Sequence, residues 1–156
     1  MNIYEVLNKL NINYDEAEHE AVYTVEDAQN LDISDKVQGI GWKNLFLKDS
    51  RGKYFLAILP EDKKMKINEI AKKANATHMS FGKEDELMEL LKLTRGCVSP
   101  FGIINDVNNV VTLVIDSELK GNKLLYHPNR NTATVSIHFD DLEKFIKSEN
   151  HDYILM

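Results

Sequence analysis

Trp42-Lys43-Asn44-Leu45-Phe46-Leu47-Lys48, Asp49-Ser50-Arg51-Gly52, Lys53-Tyr54-Phe55-Leu56-Ala57-Ile58-Leu59 is the stretch on which the fold turns. Two apolar runs of strand length, rich in aromatic and branched residues, flank four turn formers ending in glycine. That pattern predicts a β-hairpin, with strands over 42–48 and 53–59 and a turn at 49–52. Lys43 is the odd residue of its strand, because a lysine beside an apolar strand centre needs a partner or a cleft for its amine.

Working outward, Ile3, Val6, Leu7 and Leu10 recur at helical spacing and predict a helix over 2–11. Thr24-Val25-Glu26-Asp27 reads as a helix start with Thr24 as the cap. Further helices are predicted over 65–74 and 83–92, and a last one opens at Asp140-Asp141. The run 110–115 is too short and too apolar for a surface helix and reads as a buried strand. Two more strands, over 124–127 and 132–139, flank a turn at Pro128-Asn129-Arg130-Asn131. Strands and helices do not alternate strictly, so the expectation is an α/β chain of the α+β type. Its sheet is mixed and largely antiparallel, with helices flanking it.

The 156 residues are one domain's worth of chain, expected to run over 1–156. A hydrophobic fraction of 43% and a charged fraction of 28% are ordinary for a folded protein. No apolar run has the ~18 residues that span a bilayer. The first residues lack both a basic region and an apolar one, so no secretory signal is expected. Cys97 is the single cysteine, which excludes an internal disulfide. A cytoplasmic, membrane-free protein is expected.

The net charge of −6 argues against indiscriminate nucleic-acid binding, yet it hides an asymmetry. Residues 1–35 carry nine acids against Lys9 alone, whereas 36–73 carry ten bases against four acids. Such a run is either a solvated face or a local phosphate-facing surface.

Several chemistries are absent. The five histidines show neither zinc-protease spacing nor a Cys-x-x-Cys pair beside them, so no metal site is expected. Gly39-Ile40-Gly41 precedes a strand and lacks the context of a dinucleotide fingerprint. Cys97, with His127 elsewhere, is open to reading as a Cys–His hydrolase pair or as a small packed hydrophobe. Its surroundings, Gly96-Cys97-Val98-Ser99-Pro100-Phe101-Gly102, carry more information. Two glycines and a proline within seven residues fix an unusual path, which suits either an ordinary turn or a set of N–H groups aimed at one oxygen. His127-Pro128 at a strand end reads as a surface histidine or a site residue.

Taken in order, four segments form a pattern: His19-x-x-x-Tyr23-Thr24-Val25-Glu26-Asp27-Ala28, Lys43-Asn44-Leu45-Phe46-Leu47, Gly96-x-x-x-Pro100-Phe101-Gly102, and His127-Pro128-x-x-Asn131-Thr132-Ala133-Thr134. This pattern resembles the YbaK/ProX aminoacyl-tRNA editing family over nearly the whole chain. Within it, the likeness is greatest to the freestanding prolyl-tRNA editing branch, itself similar to the editing insertion of bacterial prolyl-tRNA synthetase. The resemblance implies a hydrolase that removes a wrong amino acid, usually alanine, from tRNA for proline, with no metal, no other cofactor and no covalent intermediate. It implies Lys43, Gly96, Pro100 and His127 as the catalytic set, with Asn44, Cys97, Val98, Ser99, Phe101 and Asn131 around the substrate. It also implies the acceptor end of tRNA as partner, with transient contact to prolyl-tRNA synthetase. Cys97 departs from the small residue usual there, which weighs against a nucleophilic thiol. Two other readings stand beside this one: a sibling specificity for cysteine or serine on tRNA, and a non-catalytic tRNA-binding or regulatory module.

Overall fold

A computed structural model describes residues 3–18, 40–94, 96–126 and 133–156. The hairpin forms as its sequence dictates. Strand β2 (Trp42–Asp49) pairs antiparallel with β3 (Tyr54–Pro60), Lys43 opposite Leu59 and Asn44 opposite Ile58. Asp49 closes the turn, its Oδ1 accepting from the N–H of Arg51 at 3.0 Å and of Lys53 at 2.9 Å. Gly52 has φ +82°, a left-handed geometry that favours glycine.

Around this hairpin grows a five-stranded sheet in the order β4-β2-β3-β5-β8. Its outer members are β4 (Met79–Phe81), β5 (Val111–Ile115) and β8 (Tyr153–Leu155). β4 joins antiparallel, whereas β5 and β8 join parallel, with Ile58 beside Ile115. A second, three-stranded antiparallel sheet sets β7 (Ala133–His138) between β1 (Asp15–Glu18) and β6 (Lys123–Tyr126). One parallel bridge, Ile40 with Leu124, ties the two sheets just before β2 begins. The expected single mixed sheet is thus two sheets, with antiparallel pairings in the majority.

The larger sheet is apolar on both faces. Phe46, Leu56, Ile58, Leu113 and Ile115 pack against helices α1 (Ile3–Lys9), α3 (Glu84–Leu91) and α4 (Phe139–Ser148) and against the smaller sheet. Their alternate neighbours Leu47, Phe55, Ala57, Leu59 and Val114 pack against α2 (Ile67–Lys73). This is the period-two alternation of a strand, and each such buried aliphatic side chain contributes roughly 1.5–3 kcal/mol. The helices predicted over 2–11, 65–74, 83–92 and from Asp140 all appear, each with ends shifted by a residue or more. The helix expected at Thr24 and the turn at 128–131 lie outside the described residues.

Two polar clusters lock the frame. The carboxylate of Glu86 on α3 accepts from the Tyr54 hydroxyl and from Lys48 Nζ at 2.9 Å, joining the helix to both hairpin strands. These bonds hold the Glu86 carboxyl down at about 2. Near the C-terminus, His151 Nε2 lies 2.8 Å from Asp106 Oδ2, both residues being buried. Asp106 also accepts from the N–H groups of Val110 and Val111, which fixes the entry to β5.

Candidate active site

Lys43 and Asn44 are consecutive on β2, so they leave opposite faces of the sheet. Lys43 sends its ammonium to the main-chain carbonyl of Lys63, in the turn that follows β3. Asn44 lies between Trp42 and Phe46, whose side chains belong to the cluster beneath the smaller sheet. Its Oδ1 is buried with no hydrogen-bond partner among the described residues.

The second segment begins at Gly96, which has φ +90°. A side chain there would be strained, so glycine is what lets the chain turn after α3. Ser99 is extended and caps a short 3-10 helix, Pro100–Asn105. Its Oγ accepts from the N–H of Phe101 at 3.1 Å, and Pro100 fills the first helical position, where no N–H is needed. Gly102 is required by close approach: a Cβ there would sit 2.6 Å from Leu93 Cδ1 and 3.1 Å from Leu91 Cβ.

These bonds narrow what the loop can offer. The N–H of Cys97 donates to the Thr94 carbonyl at 3.0 Å and that of Gly102 to the Ser99 carbonyl at 3.2 Å. With the N–H of Phe101 on Ser99, and none on Pro100, the donors without a recorded acceptor among the described residues are those of Gly96, Val98 and Ser99. Ser99 is 1% exposed and Phe101 0%, so neither side chain stands at the surface of a cleft. The serine hydroxyl is occupied by its cap, and the phenylalanine ring packs 5.3 Å from Phe145. Both are packed beneath the loop, Ser99 as its cap and Phe101 through its ring contact. Cys97 is also buried, and Val98 is half-buried against the main core.

The residue that joins these pieces carried no role in the sequence reading. Tyr126, at the end of β6, has its ring edge-on to Trp42 with centroids 3.6 Å apart, and 5.0 Å from the ring of Phe101. One side chain thus touches the residue before Lys43 and the loop containing Pro100, and it directly precedes His127. Its hydroxyl is buried and unpartnered among the described residues, and burial raises its pKa well above 10.0, so the phenol stays neutral. An aromatic residue just before His127-Pro128 was the available signal. His127 and Asn131 themselves lie outside the described residues. Among those residues there is no group of three or more His, Cys, Asp or Glu placed to hold a metal ion, and no helix long and apolar enough to cross a membrane.

A two-sheet α+β frame with a lysine-asparagine strand beside a glycine-proline loop defines a class, and the comparisons name it. The model of the aminoacyl-tRNA editing domain matches residues 19–145, and the chain belongs to that family. It is 40% identical over 149 residues to the prolyl-tRNA editing protein ProX of Acetoanaerobium sticklandii, a match covering 94% of this chain and 90% of that one. It is 32% identical to prolyl-tRNA synthetase associated domain-containing protein 1 of Danio rerio, covering 97% and 83%. A crystal structure described as a candidate trans-editing enzyme for prolyl-tRNA synthetase superposes with a TM-score of 0.70 at 13% identity, covering 97% and 91%.

Proposed function

We propose that residues 1–156 act as one cytoplasmic editing domain that hydrolyses mischarged tRNA in trans, with alanine on tRNA for proline as the main substrate. The observation that carries this is the meeting of the lysine-asparagine strand and the glycine-proline loop on Tyr126, within a chain of the editing family.

In the proposed reaction water adds to the carbonyl carbon of the aminoacyl ester and gives up a proton as it does so. The tetrahedral intermediate carries its negative charge on the former carbonyl oxygen, and the bond to the ribose oxygen then breaks. The leaving ribose oxygen takes up one proton to become a hydroxyl, and the amino acid leaves as a carboxylate with one proton released to solvent. The N–H groups of Gly96, Val98 and Ser99 are the donors suited to that oxyanion. Lys43, on the other face of β2, supplies a compact positive charge for the terminal phosphate or a donor for the terminal adenosine. Asn44, Val98 and Cys97 border the substrate, and His127 and Asn131 complete the pocket. The neighbouring ribose hydroxyl places the water, so no protein base is required. The exposed Lys64 and Lys66, just after Lys63, and Lys72 and Lys73, at the end of α2, suit the acceptor stem of tRNA. Transient contact with prolyl-tRNA synthetase would deliver the substrate.

The need for such an enzyme is physical. A synthetase pocket built for proline rejects a smaller residue weakly, since a missing methylene is worth only ~1–3 kcal/mol. A second pocket that admits alanine and excludes proline by size supplies the remainder. The test is deacylation of proline tRNA charged in turn with alanine, serine, cysteine and proline. Rapid loss of alanine with proline left intact is expected. Serine or cysteine removed faster than alanine reassigns the substrate, equal loss of proline removes the size sieve, and no hydrolysis of any of them leaves a binding module.

A further inference from the structure

We propose that Lys63 and Asp116 are positioning residues for Lys43, acting on it through a main-chain carbonyl. The inference rests on the reading of Lys43 as the cation of the deacylation site. A lysine amine ends a flexible four-carbon stem, and its position is set only by what it binds. Here the acceptor is the carbonyl oxygen of Lys63. That carbonyl belongs to a tight turn after β3, in which the N–H of Lys63 donates to the Pro60 carbonyl at 3.1 Å and the N–H of Glu61 to Gly41 at 3.3 Å.

The turn is pinned by the side chain of the same residue. Lys63 Nζ lies 2.6 Å from Asp116 Oδ2 and 3.3 Å from Glu118 Oε1. Asp116 is a rigid anchor: it is 1% exposed and follows β5 directly. Its N–H donates to the Ile58 carbonyl at 2.9 Å, and its Oδ1 accepts from the N–H of Glu118 at 2.9 Å. Those carboxylates hold the Lys63 ammonium above its ordinary pKa, Asp116 more than Glu118, so the tether stays charged.

The division of labour matters for the charge on Lys43. The two acids pair with Lys63, while Lys43 rests on a neutral carbonyl. Its positive charge is therefore held in place without being cancelled, and two of its three N–H donors remain for a phosphate. An ion pair between the buried Asp116 and the half-exposed Lys63 adds little to stability over an apolar pair of the same shape, so fold stability alone does not account for the two residues.

The test combines kinetics with 15N-lysine side-chain NMR of the whole chain, the Lys43 ammonium cross-peak being assigned by its loss in Lys43→Ala. The wild type should show that cross-peak, because a tethered ammonium exchanges slowly. In Asp116→Asn and Lys63→Met the peak should vanish, and kcat for alanine on proline tRNA should fall about ten- to a hundredfold, as for a displaced catalytic group, with KM within about twofold. Lys63→Arg keeps the ion pair and should retain both peak and rate. Thermal melting identifies any variant that fails to fold, and Lys63→Met, half-exposed, serves if Asp116→Asn does not fold. No Lys43 peak in the wild type, or a peak and kcat unchanged in both variants, overturns the positioning role. Full activity of Lys43→Ala instead removes the catalytic reading of Lys43, while the cross-peak still decides whether Lys63 and Asp116 tether it.

Discussion

Strand β2 and the loop from Gly96 to Phe101 reach Tyr126 from two sides, and they are built on different physics. β2 is held by a regular ladder to β3, and its contribution is a pair of side chains whose directions follow from alternation. The loop has no ladder. Its path rests on one glycine with φ +90°, one serine cap and one proline, and its proposed contribution is backbone N–H groups. A strand tolerates loss of a site side chain because its neighbours keep it in place. A loop held by three special residues loses stability when any of them is replaced. Substitutions should therefore separate activity from stability on the strand and couple them in the loop.

The largest effect is expected for Lys43→Ala. Deacylation should fall roughly a hundredfold or more, the scale of removing a preorganised electrostatic group. The melting temperature should stay near that of the wild type, since the amine binds one turn carbonyl and the ladder remains. A large drop in melting temperature would place Lys43 with the loop residues and break the contrast. Gly96→Ala should lower both quantities. Forcing a Cβ into the left-handed region costs on the order of 1–3 kcal/mol and re-aims the following N–H groups. Thermal melting and kcat, measured together, check it. Ser99→Ala removes the cap on the N–H of Phe101, at a cost of about 0.5–2 kcal/mol. Its rate should fall less than that of Gly96→Ala, because the backbone can keep its path.

The smallest effect sharpens the strand side of the comparison. The Glu86 carboxyl, bonded to Tyr54 and Lys48, is held at about 2 against a usual 4.5. A depressed carboxyl contributes its stability above the unfolded value and loses it as pH falls through the folded one. Acid titration of the melting temperature should thus show wild type above Glu86→Gln at pH 6, with the difference shrinking between about 4.5 and about 2. The same cluster holds Tyr54 and Lys48 above their ordinary values, each chiefly through its bond to Glu86, so at high pH the contribution declines as the Lys48 ammonium is lost. Deacylation rates at neutral pH should match, since Glu86 braces α3 and stands apart from the site.

The sequence reads clearly where one local rule decides the outcome. The hairpin was legible from alternation and from a turn ending in Gly52. The amphipathic helices were legible from spacing. Strands β1, β4 and β8 were not, because Asp15-Glu16-Ala17-Glu18, Met79-Ser80-Phe81 and Tyr153-Ile154-Leu155 are too short to carry a period, and each sits at the edge of its sheet. Of the site, the identities of Lys43, Gly96 and Pro100 stood out as exceptions to local rules. The ring contacts of Phe101 did not, since they depend on Tyr126 and Phe145, distant in sequence, whereas the Ser99 cap is local to Ser99-Pro100-Phe101. The Lys63 carbonyl was invisible, since nothing near it in the chain marks it, and Tyr126 was marked only by its place before His127-Pro128.

The parallel pairing of β3 with β5 has a consequence for how the molecule is assembled. The hairpin closes a four-residue turn and can form early. Bringing Ile58 beside Ile115 must instead close a long excursion of chain that holds α2, β4, α3 and the whole Gly96 loop. Closing a loop of that span costs entropy before any contact rewards it, and such non-local pairings form slowly. Until that register is made, Asp116 is not beside Ile58 and Lys63 has no carboxylate to reach. On that order the hairpin carrying Lys43 would exist before the proposed tether, and the deacylase would become competent only at a late step of folding.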